Sequence, residues 1–325
     1  MHGKRALMLL LRAAPLILFV LVVLVFGSMS DRFLSVANFR NILIQAAPIG
    51  ILAIGMTFVL LVAEIDLSIG AIMYVTAAIM ALYLPALPWA ASLLIVLVLA
   101  MAAGVLNALV VVRLGVASFI VTLSSLFVFR GIAMYLSNTR TLMFPKPIRD
   151  LNRATVLEVP FAILVLVIVV IAAVIVLNHT RFGRQLFAVG GDREVAQKAG
   201  LPVRTIIFAA FVISGLCAGI GGFLSATQQG AVGPKFGDGI EFQVIAAAVL
   251  GGVSLFGGRG SVLGPIFGAV LIRTAIAGLT YINADPYIYP LVTAAIIFLA
   301  VAVDGIRTRA LERFNQRTIR PIEAG

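Results

Sequence analysis

The sequence contains very few of the residues that most metal sites require. Among 325 residues there are one cysteine, Cys217, and two histidines, His2 and His179. Two histidines exclude an HExxH zinc site and any cluster of several histidines. A single cysteine excludes a disulfide framework and a thiolate metal site. The sequence therefore predicts no bound metal and no other cofactor.

Charge is also scarce, because only 11% of the residues are charged whereas 62% are hydrophobic. A soluble globular chain carries about 25% charged residues. Apolar runs such as 16–26, 49–63 and 161–177 approach the roughly 20 residues that a bilayer span requires. Backbone exposed to lipid must satisfy its own hydrogen bonds, which favours helices. The sequence thus predicts an all-α polytopic membrane protein surrounded by lipid.

We expect about ten transmembrane helices in a single transmembrane domain over residues 1–325. An excess of lysine and arginine marks the cytoplasmic loops of membrane proteins, and its distribution here favours both termini in the cytoplasm. The net charge of +11 is spread over short loops, so it does not indicate a nucleic-acid partner. The predicted spans are 13–29, 43–62, 67–85, 89–112, 116–137, 159–178, 205–227, 241–257, 261–281 and 286–304.

The longest predicted cytoplasmic loop, 179–204, contains the signals of a short helix. Asp192 follows two glycines and is a good N-cap, and Glu194 adds negative charge to the first turn. Gly200, with a proline two residues later, ends the helix. The pattern predicts a two-turn helix over 193–199, and it leaves open whether this helix is a solvated connector or the contact for another protein.

The sequence offers no energy source of its own. The glycine-rich stretch 251–264, GGVSLFGGRGSVLG, has no lysine and cannot be a P-loop, so Gly257, Gly258 and Gly260 are expected to permit close packing. A transporter that works alone on an ion gradient would need an ionisable or cation-coordinating site near the midplane of the membrane. The acidic residues nearest the spans fall at predicted ends: Glu64, Asp66, Glu241 and Asp304.

The stretch 63–70, AEIDLSIG, places two carboxylates after the second predicted span. We expect both at the cytoplasmic interface, where Asp66 caps a helix that restarts at Leu67. Gly70 is expected to allow the close approach of a neighbouring helix. Glu64 is open to several interpretations: it is solvated, lines an inward vestibule, or pairs with Arg113 or Arg259.

A path for a solute would be lined by polar groups deep in the predicted spans. An amide or guanidinium is costly to expose to lipid, so such residues are expected to face the bundle interior. A neutral path with a few hydroxyls and amides suits an uncharged polar solute better than an ion. The candidates for lining it are Asn107, Phe119, Thr122, Ser124 and Gln243, and Ser118, Ser125, Arg130 and Ser214 lie at similar depth.

Four stretches, in the same order along the chain, resemble the membrane permeases of bacterial sugar ABC importers of the ribose, xylose, arabinose and galactoside type. The resemblance extends from about residue 40 to 305. Branched-chain amino acid permeases share the general plan but lack the IDLS and SLFGGRGS motifs, so the resemblance favours a sugar permease. The four stretches are GMTFVLLVAEIDLSIGAI (55–72), GVLNALVVVRLGVASFIVTLSSLFVFRGIA (104–133), GRQLFAVGGDREVAQKAGLPV (183–203) and AAAVLGGVSLFGGRGSVLGPIFGAVL (246–271).

The resemblance implies a subunit of the bacterial inner membrane that is not itself an enzyme. It implies two cytoplasmic ATPase subunits that hydrolyse ATP, a periplasmic sugar-binding protein, and a second permease, identical or different. It also implies that the loop helix is a coupling helix that docks on the ATPase. The residues carried over for that helix are Gly191, Asp192, Arg193, Glu194, Ala196, Lys198 and Gly200.

The resemblance assigns a structural motif, DLS-x-G, to Asp66, Leu67, Ser68 and Gly70. Many members of that family have two glycines where this chain has Ala63 and Glu64. No inherited role therefore follows for Glu64.

Overall fold

The fold was examined in a computed structural model, which describes residues 2–285, 287–296, 298, 299, 302 and 305. It is mostly helical with very little sheet, as predicted for an all-α polytopic protein. Among the described residues, six helices are long and apolar enough to cross a membrane, and three shorter apolar helices cover 15–29, 69–83 and 240–250. The last predicted span, 286–304, falls partly outside the described residues, although 288–296 are helical.

Most predicted spans correspond to single helices whose ends differ by a few residues. A 3₁₀ turn, Asp31–Leu34, follows the first helix, and a π-helical turn, Ile175–His179, extends the seventh. The helices are α1 (His2–Met29), α2 (Val36–Leu61), α3 (Ile69–Tyr83), α4 (Trp89–Leu114), α5 (Ser118–Ser137), α6 (Lys146–Asp150), α7 (Phe161–Val174), α8 (Arg181–Gly191), α9 (Arg193–Lys198), α10 (Val203–Gln229), α11 (Ile240–Leu250) and α12 (Leu263–Tyr281).

The predicted span 241–257 is the clearest departure, because its helix ends at Leu250. Gly252 and Gly257 have φ angles of 86° and 85°, a left-handed conformation that stops a helix and that glycine adopts at little cost. The eleven residues of α11 rise about 16 Å, roughly half of a hydrocarbon core. The rest of the predicted span is the loop that leads to α12.

The core of the bundle is α2, which packs against α7, α10, α11 and α12. In its most apolar window 83% of the residues are buried, whereas the corresponding figure for α5 is 17%. A helix with so much exposed apolar surface must be covered by lipid or by another apolar protein surface. Thus α5 lies at the periphery of the chain.

The described residues form four two-residue strands: β1 (Leu142–Met143), β2 (Thr155–Val156), β3 (Val159–Pro160) and β4 (Ala231–Val232). Of these, β1 and β4 join two loops, and β2 and β3 form a hairpin before α7. The β1–β4 pair is antiparallel, with Leu142 opposite Val232. Arg130 of α5 holds the same region, because its guanidinium lies 3.3 Å from a carboxylate oxygen of Asp238 and donates a 2.9 Å hydrogen bond to the carbonyl of Pro234. The loop between α10 and α11 is therefore tied to its surroundings on both sides.

Candidate functional site

The chain leaves the helical state after α2, and residues 62–68 run through the interior of the bundle. Ala63 has a φ of 58°, so the helix cannot continue beyond it. Asp66, in this segment, is fully buried. Its Oδ1 accepts hydrogen bonds from the backbone N–H of Ser68 at 3.0 Å and from the Ser68 hydroxyl at 2.6 Å. Its Oδ2 accepts one at 2.7 Å from the hydroxyl of Ser214 on α10.

This geometry corrects the predicted position of Asp66 at the cytoplasmic interface. Ser214 lies roughly 16 Å along the axis of α10 from Val203. Since Asp66 contacts Ser214, its carboxylate also lies well inside the bundle. The helix restarts at Ile69 rather than Leu67, so Asp66 closes an Asx-type turn before α3 instead of capping the predicted start.

Hydrogen bonds from two other helices continue this network. The Asn107 side chain donates to the Ser68 hydroxyl at 2.7 Å and accepts from the Ser125 hydroxyl at 2.6 Å. On α5, the Thr122 hydroxyl accepts from the backbone N–H of Leu67 at 3.0 Å. The Ser118 hydroxyl accepts in the same way from Ile65 at 3.1 Å. These side chains hold the segment 62–68 in place, which gives Asn107 and Thr122 a different role from the predicted lining of a path.

A cavity lined by polar groups lies near the C-terminal end of α10. This cavity, of about 640 Å³, is lined by residues of α2, α3, α10, α11 and α12 and of the loops between them. That volume is in the range of small-molecule sites, 300–1,000 Å³. Its polar lining is unusually rich in amides and cations: Asn41, Gln45, Asn152, Arg153, Ser225, Gln228, Gln229, Lys235, Asp238, Gln243 and Arg273.

Two of these groups have unused hydrogen-bonding capacity. Gln243 Oε1 and Arg273 Nε are buried and have no hydrogen-bond partner in the part of the chain that the structure describes. Amides both donate and accept hydrogen bonds, and guanidinium groups donate several, which suits a solute with many hydroxyls. Gln243 is thus the path candidate that lines this cavity, whereas Phe119 and Ser124 lie on the exposed surface of α5. Arg273 was not predicted, although an arginine within a span is a visible signal.

The short helix predicted from the loop 179–204 is present as α9. Its N-cap is Asp192, whose Oδ1 accepts a 2.9 Å hydrogen bond from the N–H of Val195. Glu194 and Lys198 form an exposed ion pair at 2.7 Å, and Gly200 has a φ of 80° just after the helix. Of residues 191–200 all are exposed except Ala196, which belongs to the apolar cluster that includes Leu186.

Close to the start of α9 the backbones of three segments come together, and we call this contact the glycine junction. It consists of three glycines and one leucine: Gly190, Gly257, Gly258 and Leu61. The N–H of Gly258 donates a 3.0 Å hydrogen bond to the carbonyl of Leu61. A Cβ on Gly190 would overlap that carbonyl oxygen, and one on Gly257 would lie 2.7 Å from the oxygen of Gly190. The glycines of the stretch 251–264 therefore serve close packing, as the sequence predicts.

Two other glycines pack in the same way. Gly260 lies against the side chains of Leu61 and Val253, where a Cβ would be 3.2 Å from each. Gly70 lies against Gly237 and Ile240 at the start of α11, which is the close approach expected of it.

Glu64 has a partner other than those proposed from the sequence. Its Oε1 forms an ion pair with the guanidinium of Arg193, the first residue of α9. The same guanidinium donates a 3.4 Å hydrogen bond to the carbonyl of Val62. Arg193 was not predicted as a partner of Glu64, since a contact between residues 129 positions apart has no local signal in the sequence.

Comparison with known proteins identifies the family. Residues 38–301 match the family described as "Branched-chain amino acid transport system / permease component". The chain belongs to this permease family. No solved structure gives a significant match to the permease.

Several curated relatives of the permease are named for sugars. The D-allose transport system permease protein of Escherichia coli is 33% identical over 288 residues, which cover 87% of this chain and 88% of the relative. The ribose import permease protein of Escherichia coli is 32% identical, covering 91% and 94%. The fructose import permease protein of Rhizobium meliloti is 33% identical, covering 90% and 84%. The resemblance found in the four sequence stretches is thus confirmed.

Proposed function

We propose that this permease is the membrane subunit of an ATP-driven importer, and that it passes a sugar or sugar-like solute across the bacterial inner membrane. Relatives named for D-allose, ribose and fructose align over most of both chains, which is the observation that carries this proposal. The permease hydrolyses no ATP; that reaction belongs to separate ATPase subunits. We further infer ten spans with both termini in the cytoplasm, which places α9 on the cytoplasmic side.

The cavity between α2, α10, α11 and α12 is the proposed entrance of the sugar path. With the orientation above it lies toward the periplasm, because Ser225 is roughly 33 Å along α10 from Val203. Its amides and guanidinium groups would exchange hydrogen bonds with sugar hydroxyls as water is displaced. Apolar residues such as Met73 and Pro48 complete the wall.

Replacing Gln243 by leucine is expected to slow uptake about threefold to tenfold. The change removes a hydrogen-bonding amide from the cavity at nearly constant volume, and one neutral hydrogen bond contributes about 0.5–1.5 kcal/mol. The measurement is initial uptake of radiolabelled ribose, allose and fructose in cells that also express the cognate ATPase and binding protein. Ser124→Ala, which removes a hydroxyl bonded only to its own helix, is the matched control. Equal uptake by both variants would contradict this role for the cavity.

Docking of the ATPase is assigned to α9, which projects from the chain at the end opposite the cavity. Val195 supports this assignment, because an apolar side chain that is 61% exposed on a short polar helix suits a protein contact. Ala196, although among the residues carried over by resemblance, is buried and therefore anchors α9 to the permease instead.

Val195→Glu is expected to remove the ATPase from the purified complex. The test is a native pull-down of the tagged permease from its own membranes in mild detergent, followed by mass spectrometry. Leu157→Glu is the control, since Leu157 is even more exposed but lies in the loop at the other end. Retention of the ATPase by Val195→Glu, with the variant still folded, would show that α9 is not the docking element.

The same pull-down tests the remaining proposed partners. A second permease chain, identical or different, would cover the exposed apolar face of α5, where Phe119 and Phe127 project. A periplasmic sugar-binding protein would deliver the solute to the cavity side. If the wild-type chain brings down no ATPase and its uptake follows the proton gradient, the alternative of a transporter that works alone is correct.

A further inference from the structure

The ion pair between Glu64 and Arg193 connects the two parts of the chain that transport must coordinate. Arg193 is the first residue of α9, and Glu64 precedes the buried Asp66 by two positions. The guanidinium also reaches the carbonyl of Val62, at 3.4 Å. The Arg193 side chain thus joins α9 to the segment 62–68 at two residues, Val62 and Glu64.

The two partners differ in their access to water. The Glu64 side chain retains 10% of its exposure, whereas that of Arg193 retains 50%. A carboxylate so largely removed from water depends strongly on its nearby cation. By contrast, the Glu194–Lys198 pair on the same helix is exposed at both ends, at 78% and 74%, and such pairs contribute little.

A displacement of Glu64 would be passed to residues deep in the bundle. The next residue, Ile65, is bonded to Ser118, and Leu67 is bonded to Thr122, so one side of the segment is held by α5. Asp66 between them is bonded to Ser214 on α10. Movement of this segment therefore changes the hydrogen bonds that join α3 to α5 and α10.

The surroundings of the ion pair leave space for such a movement. A cleft of about 630 Å³ lies beside it, between α9 and the ends of α4 and α10. Glu64 and Arg193 both line this cleft, together with Gln197 and Arg204. The glycine junction holds the end of α8, directly before α9, so α9 is anchored at its start and can tilt toward the cleft.

We propose that Glu64 and Arg193 are positioning residues that transmit the displacement of α9 to the buried Asp66 segment. This inference rests on the proposed function, in which α9 is the helix that contacts the ATPase. Each ATP-driven tilt of α9 would pull Glu64 through Arg193 and shift the segment 62–68. The altered network would then change how α3 packs between α5 and α10. Without the pair, ATP hydrolysis would be only weakly coupled to solute movement.

The test uses the full complex of permease, ATPase and binding protein in proteoliposomes, and measures sugar transported for each ATP hydrolysed. Glu64→Gln and Arg193→Gln are each expected to lower this ratio about tenfold, a typical size for coupling between sites, while the ATPase still co-purifies. The double variant Glu64→Arg with Arg193→Glu is expected to restore most of the ratio. Glu158→Gln, which removes an exposed carboxylate from the loop at the other end of the chain, should leave it unchanged.

Several results would overturn the inference. They are a wild-type ratio in both single variants, an equal loss in Glu158→Gln, or no recovery in the charge-swapped variant when it is folded and ATPase-bound. If Glu64→Gln does not fold, Arg193→Gln alone decides the question, because half of that side chain is exposed. Absence of any ATPase from the wild-type complex is a distinct result, which would refute the proposed function itself.

Discussion

Gly190→Ala is expected to abolish transport and to reduce the amount of folded protein, whereas Gly191→Ala leaves both unchanged. A Cβ on Gly190 would overlap the carbonyl oxygen of Leu61 and lie 2.6 Å from the backbone nitrogen of Gly258. Both neighbours are backbone atoms already joined by a hydrogen bond, so neither can move aside cheaply. Overpacking costs about 1–3 kcal/mol, and a clash with backbone belongs at or above the upper end. A Cβ on Gly191 would meet nothing within 4 Å.

The folded amount can be followed by fluorescence-detected size-exclusion chromatography of a tagged chain, and transport by initial uptake in the same cells. Because the two glycines are adjacent and both lie in α8, they differ mainly in what surrounds them. Wild-type behaviour of Gly190→Ala would mean that α2, α8 and the loop after α11 do not approach as described. A matching loss in Gly191→Ala would point to helix propensity or docking instead.

Asp66→Ala is expected to lower the free energy of unfolding of the permease by about 2–5 kcal/mol. Alanine removes the acceptor of two hydroxyls and one backbone N–H, all in a fully buried position. Each buried donor left without a partner costs about 1–3 kcal/mol, although a hydroxyl can rotate to recover part of that. The effect would be seen as a lower midpoint of thermal unfolding in detergent.

Asp66→Asn is expected to be milder, because the amide keeps one oxygen for Ser68 and the hydroxyl of Ser214 can turn to accept from the new NH₂ group. Ser124→Ala is the control, since its hydroxyl is exposed and bonds to the carbonyl of Ile120 on the same helix. Equal stability of Asp66→Ala and Ser124→Ala would show that the carboxylate is not the centre of the network.

Features with local causes were predictable from the sequence. The helix α9 forms where Asp192 caps one end and Gly200 ends the other, and both signals lie within ten residues of chain. The spans were visible for a similar reason, since their lengths follow from uninterrupted apolar runs. The division at 241–257 was wrong, because alanine and valine continue the apolar run while the backbone of Gly252 turns away.

Features that depend on contacts between distant segments were not predictable. The depth of Asp66 follows from the course of residues 62–68 through the bundle, and hydropathy alone places a carboxylate at an interface. The partner of Glu64 depends on where α9 packs. The cavity combines residues of five helices, so Gln243 could be suspected from its polarity, whereas Asn41 and Gln228 at helix ends gave no comparable signal.

The glycine junction can form only late in the synthesis of this protein. Leu61 and Gly190 leave the ribosome long before Gly258, whose N–H provides the hydrogen bond that joins the loop after α11 to α2. Until that loop has been inserted, the end of α8 that precedes α9 lacks one of the surfaces against which it packs. A chain that ended before Gly257 would therefore lack the loop that packs against the end of α8, even if its earlier helices had entered the bilayer.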